Sequence, residues 1–100
     1  MRRSAEQSHM ICRKAVVAGR VQGVFYRATA AQRARELGIR GHAKNLPDGR
    51  VEVLACGEAK VIDDYLKWLW TGSSASKVTA VEVAELDPKS IQVPEGFRTG

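Results

Sequence analysis

The chain has 100 residues, of which 44% are hydrophobic and 27% charged, and its formal net charge is +5. This length and composition predict a single globular domain and exclude a disordered chain, a collagen-like chain and a repeat array. Residues 1–50 hold 11 Lys and Arg against 3 acidic residues, whereas residues 51–100 hold 5 against 8, so a basic surface on the first half could attract an anion.

The chain begins with a polar segment, which a strand and a helix follow. Residues 1–9 are polar and aperiodic, and we expect a disordered or vector-derived tail before a domain of residues 10–100. The β-branched and small apolar residues of 11–18 predict a first strand. Small apolar residues then recur at helical spacing over 26–37, which predicts a helix that ends at Gly38.

A hairpin follows the first helix. Residues 41–46 predict a short second strand, and Pro-Asp-Gly at 47–49 is a strong turn signal. Residues 50–56 alternate between apolar and polar side chains, which is typical of a strand with one buried face. The two strands are therefore predicted to pair across the turn.

The remaining elements complete a known arrangement of strands and helices. Residues 58–70 predict a second helix with an apolar stripe, residues 77–86 predict a fourth strand, and a short last strand could lie around Phe97. The order βαββαβ predicts an α+β, ferredoxin-like sandwich. In this fold one antiparallel sheet, ordered 4-1-3-2 with a possible short fifth strand, carries two helices on one face. The fold by itself names no function.

The segment between the first strand and the first helix carries the chemistry. Residues 17–27 read VAGRVQGVFYR. Glycines let the backbone turn tightly, and unpaired N–H groups at a helix N-terminus favour an anion. Arg27 falls in the first helical turn, where its guanidinium can bind two phosphate oxygens. The segment predicts a phosphoryl site without the GxxxxGK[ST] of a P-loop, although a glycine turn before an ordinary surface arginine fits the same residues.

Two motifs resemble one enzyme family. Residues 17–27 match at every position the first acylphosphatase signature, V-x-G-R-V-Q-G-V-x-[FY]-R. Residues 41–57, GHAKNLPDGRVEVLACG, are similar to the second signature, except that His42 stands where an aromatic residue is usual; this departure affects only local packing. The resemblance covers about residues 12–86. It implies a metal-independent enzyme, without a cofactor, that hydrolyses the carboxyl-phosphate bond of acyl phosphates.

The resemblance also implies roles for particular residues. Asn45 is expected to orient the attacking water, and the Arg27 side chain is expected to bind the phosphate. In the predicted fold the first two strands are parallel with the third between them, so Arg27 and Asn45 should meet at one edge of the sheet. An acyl phosphate has a good leaving group, so positioning and charge stabilisation can supply most of the catalysis. The backbone N–H groups expected to bind the phosphate are those of Gln22, Gly23, Val24, Phe25, Tyr26 and Arg27.

The two cysteines are expected to lie close together. Cys12 falls near the start of the first strand and Cys56 near the end of the third, and these strands are antiparallel neighbours in the predicted fold. A disulfide requires Cα atoms within ~7 Å of each other. Two buried thiols are the alternative, which a reducing cytoplasm favours.

Partners and location follow from what the sequence lacks. The longest apolar runs are far below the ~20 residues that cross a bilayer, and no apolar stretch follows Arg2 and Arg3 as in a secretory signal. No CxxC or His-Cys spacing indicates a metal site. We therefore expect a cytoplasmic monomer that binds a small-molecule acyl phosphate, with no metal, nucleic acid or membrane partner.

Three alternatives compete with this interpretation. An RNA-binding domain of the same fold would need aromatic residues on its third strand to stack bases, and residues 50–56 have none. A domain detached from a larger carbamoyl-transferring maturation protein is the second alternative, which the 100-residue length argues against. An inactive regulatory relative is the third, and the presence of both Arg27 and Asn45 argues against it.

Overall fold

A computed structural model describes residues 10–100, and the predicted tail at 1–9 lies outside the described residues. A 3₁₀ turn at Pro88–Ser90 precedes the last strand. The predicted order of strands and helices is confirmed. The elements are β1 (Met10–Arg20), α1 (Tyr26–Glu36), β2 (Arg40–Asn45), β3 (Val51–Glu58), α2 (Ala59–Trp68), β4 (Lys77–Leu86) and β5 (Phe97–Thr99).

The strands form one sheet in the order β4-β1-β3-β2-β5, which confirms the predicted order. β1 pairs antiparallel with both β3 and β4, and β2 pairs antiparallel with β3. β5 runs parallel to β2, so the sheet is mixed rather than wholly antiparallel. Because β1 and β2 both run antiparallel to β3, their C-terminal residues Arg20 and Asn45 end at the same edge of the sheet.

The main core lies between the sheet and the two helices. Alternate residues of β3 point to this side, and Val51, Val53 and Ala55 are fully buried as their alternation predicts. α1 contributes small alanines, which let the helix approach the sheet closely, and α2 contributes larger side chains. The helical residues buried in this core are Tyr26, Ala30, Ala31, Ala34, Ile62 and Tyr65.

A smaller cluster covers the opposite face at one end of the sheet. Cys12 lies directly opposite Cys56 in the β1–β3 ladder, and a disulfide joins them with their Cα atoms 4.1 Å apart. Leu54 packs beside this bond, and partly buried residues, including Ile91 from the segment before β5, pack against the cluster. The disulfide lies near the start of β1, whereas the 17–27 signature continues from the end of that strand.

The end of β1 is redirected toward the signature segment. The β1–β4 register shifts between Ala18 and Gly19, and such a bulge bends a strand and increases its local twist. Pairing then continues, with Arg20 opposite Lys77. The chain leaves the sheet at this point and reaches α1 through the five residues 21–25.

Candidate active site

The loop before α1 has the backbone shape of an anion site. The dihedral φ is +76° at Gly23 and +61° at Phe25, and Phe25 is the only non-glycine residue with positive φ within 10–100. Alternation of left-handed with ordinary conformations turns successive N–H groups toward one side and forms a concave nest. Positive φ is costly for a residue with a Cβ atom and is often found at functional sites.

The N-terminus of α1 opens into a small cleft. Phe25 occupies the N-cap position, where it makes no side-chain hydrogen bond, so the first N–H groups of the helix gain no side-chain acceptor there. Arg27 is half-buried in the first turn, and Phe25 is 79% exposed. The cleft has a volume of about 250 Å³ and is lined by Val21, Gly23, Phe25, Tyr26, Arg27 and Ala28.

Tyr26 anchors this loop in the protein core. Its side chain is 1% exposed, and its hydroxyl donates a hydrogen bond to the Leu69 carbonyl, 2.6 Å away at the end of α2. Burial raises the pKa of Tyr26 well above its usual value, so the hydroxyl keeps its proton and remains a donor. Tyr26 therefore has a side chain in the core and a backbone that begins the helix beside the cleft.

Asn45 is the last residue of β2 and lies at the edge of the sheet where β1 also ends. It pairs with Val51 in the β2–β3 ladder, and its side chain is exposed. The hairpin turn that follows is closed by two backbone bonds, from Leu46 N–H to the Arg50 carbonyl at 2.8 Å and from Gly49 N–H to the Leu46 carbonyl at 3.1 Å. The predicted Pro-Asp-Gly turn therefore holds the residues on either side of it in a defined geometry.

The Gln22 side chain joins the loop to this hairpin. Its Nε2 donates to the Leu46 carbonyl and to the Arg50 carbonyl, both at 2.9 Å. Leu46 is the residue after Asn45, so the bridge connects the two segments that are predicted to meet at one edge of the sheet. The family resemblance implies a role only for the backbone N–H of Gln22. No local pattern marks a side chain whose partners lie 24 and 28 residues away.

A charged cluster occupies the neighbouring open face of the sheet. His42 Nε2 lies 2.8 Å from Glu52 Oε2, and Lys44 Nζ lies 3.7 Å from the same oxygen. Burial opposes ionisation of Glu52, but the His42 hydrogen bond and the nearby positive charges outweigh it and lower the pKa of this carboxyl. His42 therefore forms a polar pair with Glu52. Lys44 is paired to the same carboxylate.

The part of the chain that the structure describes has neither a metal-ligand cluster nor a membrane-spanning helix. No group of three or more His, Cys, Asp or Glu side chains there is arranged to bind a metal ion. Over residues 10–100, no helix has the length and apolar character of a membrane span. Arg27 lines the cleft before α1, whereas Asn45 lies at the end of β2 and is linked to the loop through the hydrogen bond from Gln22 to the neighbouring Leu46.

Comparisons with known proteins identify a family and a fold for the chain. A family model described as Acylphosphatase matches residues 13–99. An acylphosphatase of Chromohalobacter salexigens is 52% identical over 79 residues, which are 79% of this chain and 88% of the relative. The structure of an acylphosphatase from Coxiella burnetii superposes with a TM-score of 0.87 at 35% identity, over 95% of this chain and 97% of that one. The crystal structure of acylphosphatase from Bacillus subtilis gives 0.84 at 33% identity, over 90% and 98%.

Proposed function

The chain belongs to the acylphosphatase family and hydrolyses the carboxyl-phosphate bond of acyl phosphates, and we propose that the loop at 22–27, Arg27 and Asn45 carry out this reaction. The products are a carboxylate and inorganic phosphate. The observation that carries the assignment is the Gln22 bridge, because it ties the anion-shaped loop directly to the turn beside Asn45.

The phosphoryl group is bound by the loop, which we call the phosphate loop (residues 22–27). Its backbone N–H groups and the N-terminus of α1 attract the phosphate oxygens. The guanidinium of Arg27, in the first turn, can donate two hydrogen bonds to these oxygens. These donors act on oxygens that carry charge throughout the reaction. Because the loop is built before the substrate arrives, the donors need little reorganisation when the transition state forms.

Asn45 orients the water that attacks phosphorus. Its amide oxygen accepts a hydrogen bond from the water, and its NH₂ group can donate to a phosphate oxygen. The water oxygen forms the new bond to phosphorus, and the electron pair of the breaking P–O bond leaves with the carboxylate. A carboxylate is a weak base and leaves without a general acid. The two protons of the water end on the phosphate product or in solvent.

Substitution of the two side chains tests this assignment. Arg27→Gln should lower kcat/KM for benzoyl phosphate by about a hundredfold or more and weaken inhibition by inorganic phosphate. Arg33→Gln, an exposed arginine on the same helix, is the matched control and should keep wild-type kinetics. Asn45→Ala should lower kcat by a similar factor and preserve the inhibition constant for phosphate. Wild-type turnover in either variant contradicts the site assignment.

The leaving group supplies a second test. Benzoyl phosphate should be hydrolysed equally well with and without EDTA, because none of the proposed roles needs a metal ion. p-Nitrophenyl phosphate should be a much poorer substrate, since its leaving group is more basic and no proton donor is assigned to it. If EDTA abolishes turnover, or if the two substrates react at equal rates, the proposed mechanism fails.

The open face of β3 disfavours the alternative of an RNA-binding domain. That function needs aromatic side chains there for base stacking. The positions on this face are Glu52, Leu54, Cys56 and Glu58. Glu52 is paired with His42, and Cys56 is in the disulfide. A small-molecule substrate, with no nucleic acid partner, is therefore part of the proposal.

We also propose that the protein acts as a cytoplasmic monomer. All of the groups assigned to catalysis come from one chain. An acyl phosphate is an anion that crosses a bilayer only at high energetic cost, so it is consumed in the compartment where it is made. Analytical ultracentrifugation should give the mass of one 11.0 kDa chain, and cell fractionation should recover the activity in the cytoplasm; a dimer or a membrane-bound activity refutes these parts.

A further inference from the structure

The segment between α2 and β4 packs against the back of the phosphate loop. Within this segment, residues 69–76, the Leu69 carbonyl accepts the Tyr26 hydroxyl at 2.6 Å. Gly72 lies so close to the Tyr26 ring that an added Cβ would overlap it. Ser73 Oγ donates to the Val24 carbonyl at 2.7 Å. The loop is therefore supported by a part of the chain about 49 residues away that belongs to neither signature.

The Ser73 hydrogen bond fixes the direction of one particular N–H group. The Val24 carbonyl and the Phe25 N–H belong to the same planar trans peptide, in which they point in opposite directions. When Ser73 holds the carbonyl on its own side of the loop, the Phe25 N–H must point to the other side. Gly23 and Phe25 line the cleft, which no residue of 69–76 lines, and the Val24 side chain packs against the core. We infer that the cleft lies on the side of the loop away from Ser73.

The helix itself does not orient this peptide. The first backbone bond of α1 runs from Thr29 N–H to the Phe25 carbonyl at 3.0 Å, and Thr29 Oγ1 donates to the same carbonyl at 2.8 Å. These bonds fix the peptide between Phe25 and Tyr26, which is one unit further along the chain. The Val24–Phe25 peptide precedes the helix, and the bond from Ser73 is the contact that orients it.

We propose that Ser73 is a positioning residue that holds the Phe25 N–H toward the bound phosphate. The proposal rests on the phosphate-binding role assigned above to the loop. Ser73 is itself held in place, since its carbonyl accepts both the N–H of Ser76 at 3.1 Å and the Ser76 hydroxyl at 2.7 Å. Loss of the Ser73 hydroxyl therefore removes one hydrogen bond and leaves the backbone of the segment intact.

Without this bond the peptide can rotate and its N–H can turn to water. A neutral hydrogen bond of this kind contributes a factor of about three to ten in an equilibrium constant. We expect Ser73→Ala to raise the inhibition constant for inorganic phosphate by about that factor. The KM for benzoyl phosphate should rise in parallel, with a smaller change in kcat, because the group acts on the phosphate in the ground state and in the transition state alike.

The experiment compares variants that differ in the hydroxyl alone. Ser73→Thr keeps the hydroxyl donor, and its inhibition constant for phosphate should be within about twofold of the wild-type value. Ser73→Val has the same shape as Ser73→Thr but lacks the hydroxyl, so it should behave as Ser73→Ala. Ser90→Ala is the matched control, because Ser90 Oγ also donates to a backbone carbonyl, that of Asp87 at 2.9 Å, and its neighbour Ile91 packs against the disulfide cluster. This control should leave the kinetics at wild-type values.

A direct readout follows the Phe25 amide itself. In ¹⁵N-labelled protein, titration with inorganic phosphate should shift the Phe25 amide resonance, and the shift should shrink in Ser73→Val but remain in Ser73→Thr. A merely structural role would lower the melting temperature of both non-donor variants and leave their inhibition constants unchanged. That result overturns the proposal, as does a wild-type Phe25 resonance that phosphate does not move.

Failure of the proposed function gives a different result. If Arg27→Gln or Asn45→Ala hydrolyses benzoyl phosphate at the wild-type rate, the catalytic assignment is wrong whatever the Ser73 variants do. If these two variants lose activity and Ser73→Thr proves no better than Ser73→Val, only the positioning role of Ser73 is overturned.

Discussion

The Gln22 bridge should couple phosphate binding to the position of Asn45. Gln22→Ala removes two hydrogen bonds of 2.9 Å each, to the carbonyls of Leu46 and Arg50. Each carbonyl keeps a backbone donor, Gly49 N–H for the first and Leu46 N–H for the second, so no buried acceptor is left without a partner. At about 0.5–1.5 kcal/mol for each bond, the substitution should lower the free energy of unfolding by about 1–3 kcal/mol in total.

The substitution should also slow catalysis. If the bridge holds the turn so that Asn45 faces the phosphate, Gln22→Ala should lower kcat for benzoyl phosphate by about fivefold or more, equivalent to ~1 kcal/mol. Gln22→Glu has the same size but, when ionised, cannot donate to a carbonyl, so it should be at least as damaging. Gln32→Ala, an exposed glutamine on α1, is the matched control and should retain wild-type kcat.

A double-variant cycle tests the coupling. In the Asn45→Ala background, Gln22→Ala should have little further effect on kcat, because the residue that it positions is already absent. The assay is steady-state hydrolysis of benzoyl phosphate by the wild type, both single variants and the double variant. Independent, multiplicative losses in the double variant would refute the idea that Gln22 acts through Asn45.

Three further predictions concern stability. Reduction of the Cys12–Cys56 disulfide, with its sequence separation of 44, should lower the free energy of unfolding by about 4 kcal/mol and leave kcat unchanged; denaturation with and without reductant tests the first effect, and loss of activity by reduced, folded protein contradicts the second. The pKa of Glu52 lies below its ordinary value of 4.5, so its stabilisation is present above that pH and lost as the pH falls further. The destabilisation of Glu52→Gln, measured by urea denaturation, should therefore shrink in acid, and an unchanged difference at low pH argues against the ion pair. Burial raises the pKa of both tyrosines of the chain well above 10, so stability should be lost as the pH rises beyond that value, and absorbance at 295 nm should show tyrosinate forming together with unfolding rather than before it.

Secondary structure was predictable where the residue pattern is strong. The alternation at Val51, Val53 and Ala55 indicates a half-buried strand, and all three residues are buried in the core. The observed strands are longer than predicted where residues beyond the predicted ends still pair with a neighbouring strand. β1 extends past Gly19 because Arg20 still pairs with Lys77, and β3 extends to Glu58 because this residue pairs with Met10. Hydrogen-bonded partners on a neighbouring strand, which local propensity does not describe, decide where a strand ends.

The sequence by itself determined the fold class, the family and the segments that form the candidate site. The two signature segments, residues 17–27 and 41–57, are local in sequence. Their glycine spacing, helix start and turn specify the backbone conformation within a few residues. The predicted parallel course of β1 and β2 then brings the two segments to one edge of the sheet, as the strand order shows.

Only the tertiary structure decided which side chains hold those segments in place. The partners of Gln22 lie 24 and 28 residues away, and Ser73 lies 49 residues from Val24. The polar pair of His42 and Glu52 likewise forms across two strands. Such contacts depend on the distance and direction of groups after the whole chain has packed, and a hydrogen bond tolerates an error of only a few tenths of an ångström, which no periodicity in the sequence encodes.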